Sequence, residues 1–363
     1  MRGETKKQSA MLSLRTPEER VPADHPLRRV KDLADGALGM LSETFDAMYS
    51  HQGRPSIPPE QLLKASLLMA LYSVRSERLF CEQLDYNLLF RWFLDMGMED
   101  ASFDHSTFSA NRQRLLEHEV AKRFFAAVVE QARKGKLMSD DHFSVDGSLI
   151  EAWASLKSFR PKGEGKDKRK PPDDPGNPSV NFRGEKRSNE THESKTDPDS
   201  RLARKGDGKE ARLAYTANAL MENRNGLLVD VCVEPADGYG ERRGAISMLK
   251  ALGKKVRATV GADKGYDTRG FIQECRQLGV TPHVAQTSDY RRRSAIDRRT
   301  VRHPSYLVSQ RIRKRIEEIF GWMKTVGGFR RTRYRGRDRT QLAAYFVGAA
   351  YNLLRIAKLQ TVA

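Results

Sequence analysis

A long polar tract divides this chain. Of the 54 residues from 157 to 210, only Phe159, Val180, Phe182, Leu202 and Ala203 are apolar or Ala. Such a tract cannot bury enough surface to offset the entropy of ordering it, so it reads as a mobile insertion that orders, if at all, on a partner. The whole chain has 363 residues, too many for one core of roughly 150. The tract is an insertion within the last part of the chain, over 139–363.

Upstream of it the hydrophobic period is helical. Leu62, Leu63, Leu67, Leu68 and Leu71 recur at helical spacing behind Pro59, which suits a first turn. Further helices are predicted over 76–95, from a cap at 104–107 through Leu115, and over 120–133. This gives an all-helical domain at 56–138, preceded by an arm at 1–55 with one amphipathic piece over 30–48. At His142 the pattern turns strand-like, with Asp146-Gly147 inside it. Beyond the tract, strands over 211–223 and 227–234 join through Asn225-Gly226, a strong hairpin signal. A helix (241–252), a strand (258–262), a helix (268–278), a strand (281–286) and helices over 306–325 and 340–358 follow. A hairpin and then strands alternating with helices predict a mixed α/β sheet flanked by helices for 139–363.

Charge narrows the partners. Lys and Arg exceed Asp and Glu by 65 to 47, for a net charge of +18 and a pI near 9.8. The excess concentrates at 291–340, with 17 basic against four acidic residues. Its clusters, Arg291, Arg292 and Arg293, then Arg330, Arg331, Arg333 and Arg335, form an electrostatic footprint for a polyanion, nucleic acid first. No stretch approaches the ~18 apolar residues of a membrane span, so no membrane partner is expected. Residues 1–20 lack the apolar core of a secretory signal. Three distant cysteines (Cys81, Cys232 and Cys275) fit neither a disulfide framework nor a zinc site. The expected location is the cytoplasm. His142, His192 and His283 read as surface or capping residues.

Three acids stand apart. Asp146 sits inside an apolar strand, where a charge is unfavourable unless it faces a site. Asp263 follows Val260-Gly261-Ala262, at the carboxyl end of a buried strand, where ligands bind in open α/β sheets. On a helix at 100° per residue, Gln310, Arg313, Glu317, Gly321 and Lys324 share one face, while Ile312, Ile316, Ile319 and Met323 occupy another. Were the three acids to converge at ~4–5 Å, each pair would repel by ~3–4 kcal/mol at an effective dielectric near 20. A cation is needed, and hard oxygen ligands select Mg²⁺ or Mn²⁺. Two such ions would activate a water or a 3′-hydroxyl for displacement at a phosphodiester.

At this point the chain resembles the DDE transposases of bacterial insertion sequences, in the large group numbered four and five, and the branch with a long charged insertion after the first acidic strand. The carriers are FSVDGSLIEAWASLKSF (143–159), GEKRSNETHESKTDPDSRLARK (184–205), LMENRNGLLVD (220–230), GADKGYDT (261–268) and RIRKRIEEIFGWMKTVGGFRRTRYRG (311–336). The resemblance puts the family's catalytic, metal-holding triad on Asp146, Asp263 and Glu317. Its C-terminal signature (Tyr, two residues, Arg, three residues, Glu, six residues, Lys) falls on Gln310, Arg313, Glu317 and Lys324, with Gln in place of Tyr. It implies a ribonuclease H-like catalytic fold and nicking and strand transfer at the inverted-repeat ends of an element. It further implies two bound Mg²⁺ or Mn²⁺ ions, double-stranded DNA as element ends and target, a homodimer in a synaptic complex, and action at the bacterial nucleoid. Arg313 and Lys324 would position phosphates, and the arginine clusters would supply sequence-independent affinity. Two alternatives use the same residues differently: a metal-dependent nuclease or resolvase of this fold, and a catalytically silent repressor derived from a transposase.

Overall fold

The computed structural model describes residues 15–49, 52, 56–162, 187–206, 208–253, 258–287 and 293–362. Helices come first: α1 (Pro17–Arg20), α2 (Leu27–Gly39), α3 (Ser42–Met48), α4 (Pro59–Leu71), α5 (Glu77–Tyr86), α6 (Leu88–Phe93), α7 (Ser106–Glu117) and α8 (Val120–Lys134). Pro59 opens α4 as expected, and Leu62, Leu63, Leu67 and Leu68 are buried along it. The helix expected over 76–95 is instead two. Asn87 ends α5 with extended backbone, and its side chain accepts the Leu89 and Phe90 amides (3.1 and 3.2 Å), capping α6. The piece expected over 30–48 is likewise split, between α2 and α3.

Among the described residues, eight strands follow: β1 (His142–Glu151), β2 (Phe159–Pro161), β3 (His192–Ser194), β4 (Arg201–Ala203), β5 (Arg212–Glu222), β6 (Leu228–Pro235), β7 (Thr259–Ala262) and β8 (Thr281–Val284). β5 lies antiparallel between β1 and β6, while β1, β7 and β8 run parallel, giving the order β6-β5-β1-β7-β8. Helices α9 (Gly240–Ala251) and α10 (Arg269–Gln277) make the crossovers into β7 and β8. This is the ribonuclease H-like mixed sheet that the resemblance implies. The chain continues through α11 (Arg298–Arg302), α12 (Pro304–Ile312), α13 (Ile316–Thr325) and α14 (Arg337–Val362).

Alternation along β1 sorts its side chains between two cores. Phe143 and Val145 join Val260, Ile246 and Phe271 on the α9–α10 face. Ile150 joins Ile316, Ile319 and Met323 on the α13 face. The α13-side core continues without a break through Phe124, Phe125, Leu63 and Leu353, so the N-terminal helices, the sheet and α14 share one apolar interior. Ser144, Asp146 and Ser148 therefore face α12 and α13.

The two ends of the polar tract are built into this framework, where the apolar count had predicted mobility. β2 pairs with β3, and β4 adds to β5 beside the end of β6. Their order rests on polar groups bonded to one another, although Asp197 Oδ2 is buried with no partner among the described residues. Asp197 is fully buried, and its Oδ1 accepts from the Tyr215 hydroxyl (2.6 Å) and the Gly336 amide (3.1 Å). Ser194 Oγ accepts the Asp197 amide, and Ser200 Oγ donates to the Asp197 carbonyl. Residues 163–186 of the tract lie outside the described residues.

Of the three histidines, His192 and His283 are buried and His142 is half-buried. His192 is buried against Phe159. Ser309 Oγ of α12 lies 2.6 Å from His283 Nδ1 and 2.8 Å from His142 Nε2, tying α12 to β8 and β1. Burial, reinforced by His142 and His303, pushes His283 down from 6.5 to about 4. The folded protein thus holds His283 neutral where the unfolded chain takes up a proton. Stability is lost as pH falls from 6.5 toward 4. We expect the melting temperature to drop between pH 7 and pH 5, and His283→Gln to remove about 1–2 kcal/mol of that loss at pH 5. Thermal melts of both proteins at the two pH values check this.

Candidate active site

The parallel register between β1 and β7 pairs Ser144 with Gly261. Two residues further along each strand come Asp146 and Asp263. Neighbouring strands lie about 4.8 Å apart, so the two carboxylates stand side by side at the carboxyl end of the sheet. Asp146 Oδ1 accepts the Gly147 amide at 2.8 Å. Asp263 Oδ1 accepts the Gly265 amide at 2.7 Å and so caps a 3₁₀ turn over Lys264–Tyr266. Burial pushes the Asp146 carboxyl up to about 7; Asp263 and Glu241 push it further, while the Gly147 amide and Arg313 pull it down. A carboxyl held that high is one that an added cation would relieve.

The helix expected over 306–325 is interrupted. After α12, Arg313–Arg315 tighten into a 3₁₀ turn before α13. This turn presses onto β7, and a Cβ at Gly261 would lie 3.3 Å from Arg313 Cβ and 3.5 Å from the Ser309 carbonyl. Arg313 is thereby set over the aspartates, its Nε donating to Gln310 Oε1 at 2.9 Å. Lys324, on α13, donates to Ser148 Oγ at 2.6 Å. Glu317 and Lys324 share a face of α13, about 10 Å apart along its axis. Glu317 itself is exposed and does not line the groove that holds Asp146 and Asp263. Among the described residues, no three His, Cys, Asp or Glu side chains are grouped closely enough to hold a metal ion. The fold brings two of the three expected acids together and sets the third on the adjoining helix.

The groove measures about 850 Å³. Asp146, Asp263 and Glu241 form its acidic end, and Arg204, Lys205, Lys209, Arg212, Lys324 and Arg330 line its other flank, where Glu151 and Glu210 also stand and pair with Arg212. Burial, followed by Lys205 and Arg330, lowers the Lys324 pKa, so these cations crowd one another. Four of the basic residues come from the end of the polar tract and the start of β5, a contribution that charge counting over 291–340 missed. The RLARK motif was the available signal. Glu241 was also missed. It enters from α9, where a Cβ at Gly147 would meet its Cγ at 2.5 Å, and sequence offers no hint of that approach.

The expected DNA-binding arginines divide. Arg330 lines the groove. Arg331 donates to the Ala152 and Trp153 carbonyls beside the Trp153 ring. Arg333 borders a small cavity near Glu77 and Arg112, with Nη1 buried and unpaired. Arg335 lines a separate cleft with Lys122 and Arg339. Arg293 is exposed, and Arg291 and Arg292 lie outside the described residues.

Comparison with protein families supplies the deciding observation. Residues 15–114 match a transposase domain family (DUF772), and residues 179–353 match the transposase DDE domain. The chain belongs to the DDE transposases. Asp263, Arg313, Glu317 and Lys324 fall inside the DDE-domain match, whereas Asp146 precedes it and is placed by strand register instead. A transposase acts on DNA, and DDE chemistry depends on divalent metal ions. No curated protein matches this transposase. Solved structures similar to it include the piggyBac transposase synaptic complex with hairpin DNA, at 9% identity over 93% of this chain and 75% of that one, with a TM-score of 0.43. A pre-cleavage Mos1 transpososome is similar at 10% identity over 85% of this chain and 82% of that one, with a TM-score of 0.21. Among the described residues, no helix is long and apolar enough to cross a membrane.

Proposed function

We propose that this transposase nicks DNA at the inverted-repeat ends of an insertion sequence of the four/five group and joins the freed 3′-hydroxyl to target DNA. Asp146, Asp263 and Glu317 would act as the catalytic acids. The observation that supports this reading is the parallel β1–β7 register, which sets Asp146, midway along β1, beside Asp263, just past the end of β7, next to a groove with a basic flank. The residues suit divalent ions. The donors are all carboxylate oxygens, the Asp146 carboxyl is destabilised as an anion, and the buried Tyr266 hydroxyl, three residues on from Asp263, has no partner among the described residues. Two Mg²⁺ or Mn²⁺ ions, held by these acids, would activate the attacking water or 3′-hydroxyl and stabilise the departing oxygen.

Around that chemistry the side chains have separate tasks. Asp146 and Asp263 hold their carboxylates in place through the Gly147 and Gly265 amides. Bringing Glu317 to them would cost about 3–4 kcal/mol per pair at 4–5 Å, a repulsion that a divalent ion held by the three acids would offset. Arg313, fixed by Gln310, and Lys324, fixed by Ser148, would clamp phosphate oxygens on either side of the scissile bond. The groove's remaining cations would hold the backbone without reading its sequence. The helical region 56–138 would bind the terminal repeats, and a homodimer would bring two ends together at the bacterial nucleoid.

The test is joining. Linear DNA carrying the element's own ends, incubated with the transposase and Mg²⁺, should yield products in which the cleaved 3′ end is covalently attached to a second duplex. Cutting with no joined product would overturn this reading in favour of a nuclease. Arg330→Ala should weaken binding to all sequences alike and reduce the slope of log K against log salt by about 1. Titrations at several salt concentrations measure it.

A further inference from the structure

Tyr266 occupies an unusual position. Its ring is fully buried against Phe271, with centroids 5.1 Å apart, on the α9–α10 side of the sheet. Its hydroxyl is buried and has no hydrogen-bond partner among the described residues. Buried hydroxyls normally have partners, and an orphan is costly. Burial, followed by the charges of Glu241, Asp146 and Asp263, raises its pKa above the ordinary tyrosine range. Tyr266 ends the 3₁₀ turn that Asp263 caps, its amide donating to the Asp263 carbonyl at 3.2 Å, which sets the residue directly behind the acidic end of the groove.

Glu241 reaches the same place from α9. Gly147 makes room for it: a side chain there would strike Glu241 Cγ at 2.5 Å and Asn218 Oδ1 at 2.8 Å. Asn218 Oδ1 is itself buried and unpartnered, opposite Gly147 in the β1–β5 register. Glu241 makes no ion pair among the described residues, and burial followed by Asp263 raises its pKa. A fourth carboxylate and an orphan hydroxyl thus flank the aspartate pair from the side opposite Arg313 and Glu317.

We propose that Glu241 and Tyr266 are positioning residues for the divalent-ion pocket: Tyr266 donates to, and Glu241 accepts from, water carried by an ion between Asp146 and Asp263. The inference rests on the functional reading above. The catalytic triad and the C-terminal signature include neither residue. Outer partners of this kind orient the ligands and typically change metal affinity by about 10- to 100-fold.

Mn²⁺ binding to the full-length transposase without DNA, followed by electron paramagnetic resonance and by thermal melting, tests this. Tyr266→Phe keeps the ring and removes one oxygen. In chelator it should melt about 2 °C or more above wild type, because the orphan is gone. Its Mn²⁺ affinity should fall about tenfold or more, as should that of Glu241→Gln. In joining assays both variants should need more Mg²⁺ for half-maximal rate, with the rate recovered at saturating Mg²⁺. If wild type binds Mn²⁺ and Asp146→Asn does not, yet both positioning variants match wild type, this inference is overturned while the assigned site stands. If wild type takes up no Mn²⁺, both are overturned.

Discussion

Asp146→Asn should abolish nicking and joining while making the protein more stable in chelator. Asp146 is half-buried near Asp263 and Glu241, and its neutral replacement removes a partly desolvated, repelled charge. The folded-state pKa is raised, so the ionised carboxyl costs stability as pH rises from 3.8 through about 7. At pH 8 we expect a gain of about 2–4 kcal/mol for the variant, vanishing near pH 4. Catalysis should drop by at least about 10³-fold, equivalent to about 4 kcal/mol of transition-state stabilisation. Glu317→Gln should lose activity to a similar degree without the stability gain, because Glu317 is exposed. Binding of element ends at low salt should survive in both. Thermal melts in chelator, end-binding titrations and joining assays read the three quantities separately. An Asp146→Asn variant that joins at the wild-type rate would remove Asp146 from the mechanism.

The second large effect is structural. Asp197→Ala should destabilise the protein by about 2–4 kcal/mol, since it leaves the buried Tyr215 hydroxyl and the Gly336 amide without their acceptor. Asp199→Ala, two residues away at an exposed position, should cost under about 1 kcal/mol. The loss at Asp197 should extend to DNA binding. Asp197 anchors the turn leading into β4, and β4 carries Arg204 and Lys205 to the groove. Denaturant titration gives the first quantity, and the salt dependence of DNA affinity gives the second. Equal stability of Asp197→Ala and wild type would show that the tract's ends are held by something else.

What could be read in the sequence follows from which forces act locally. Helical leucine spacing placed α4, and Pro59 its start, because burial of one face and the chemistry of a first turn are local matters. Asp146 stood out as a charge inside an apolar strand, and Asp263 as one at a strand's end; parallel register then set them side by side. Three features depended on contacts distant in the chain. The 3₁₀ turn at Arg313–Arg315 forms where the helix closes on Gly261, and no residue there signals a break. Glu241 depends on α9 crossing Gly147. The ends of the polar tract are ordered by Asp197, Ser194, Ser200 and Tyr215 bonding among themselves, which a count of apolar residues cannot register.

Manganese anomalous scattering from crystals of the transposase bound to its cleaved element ends tests the central assignment most directly. Manganese is expected at the acidic end of the groove, within coordination distance of Asp146, Asp263 and Glu317. A pocket in which Glu317 remains remote, or no manganese beside Asp146, would contradict it.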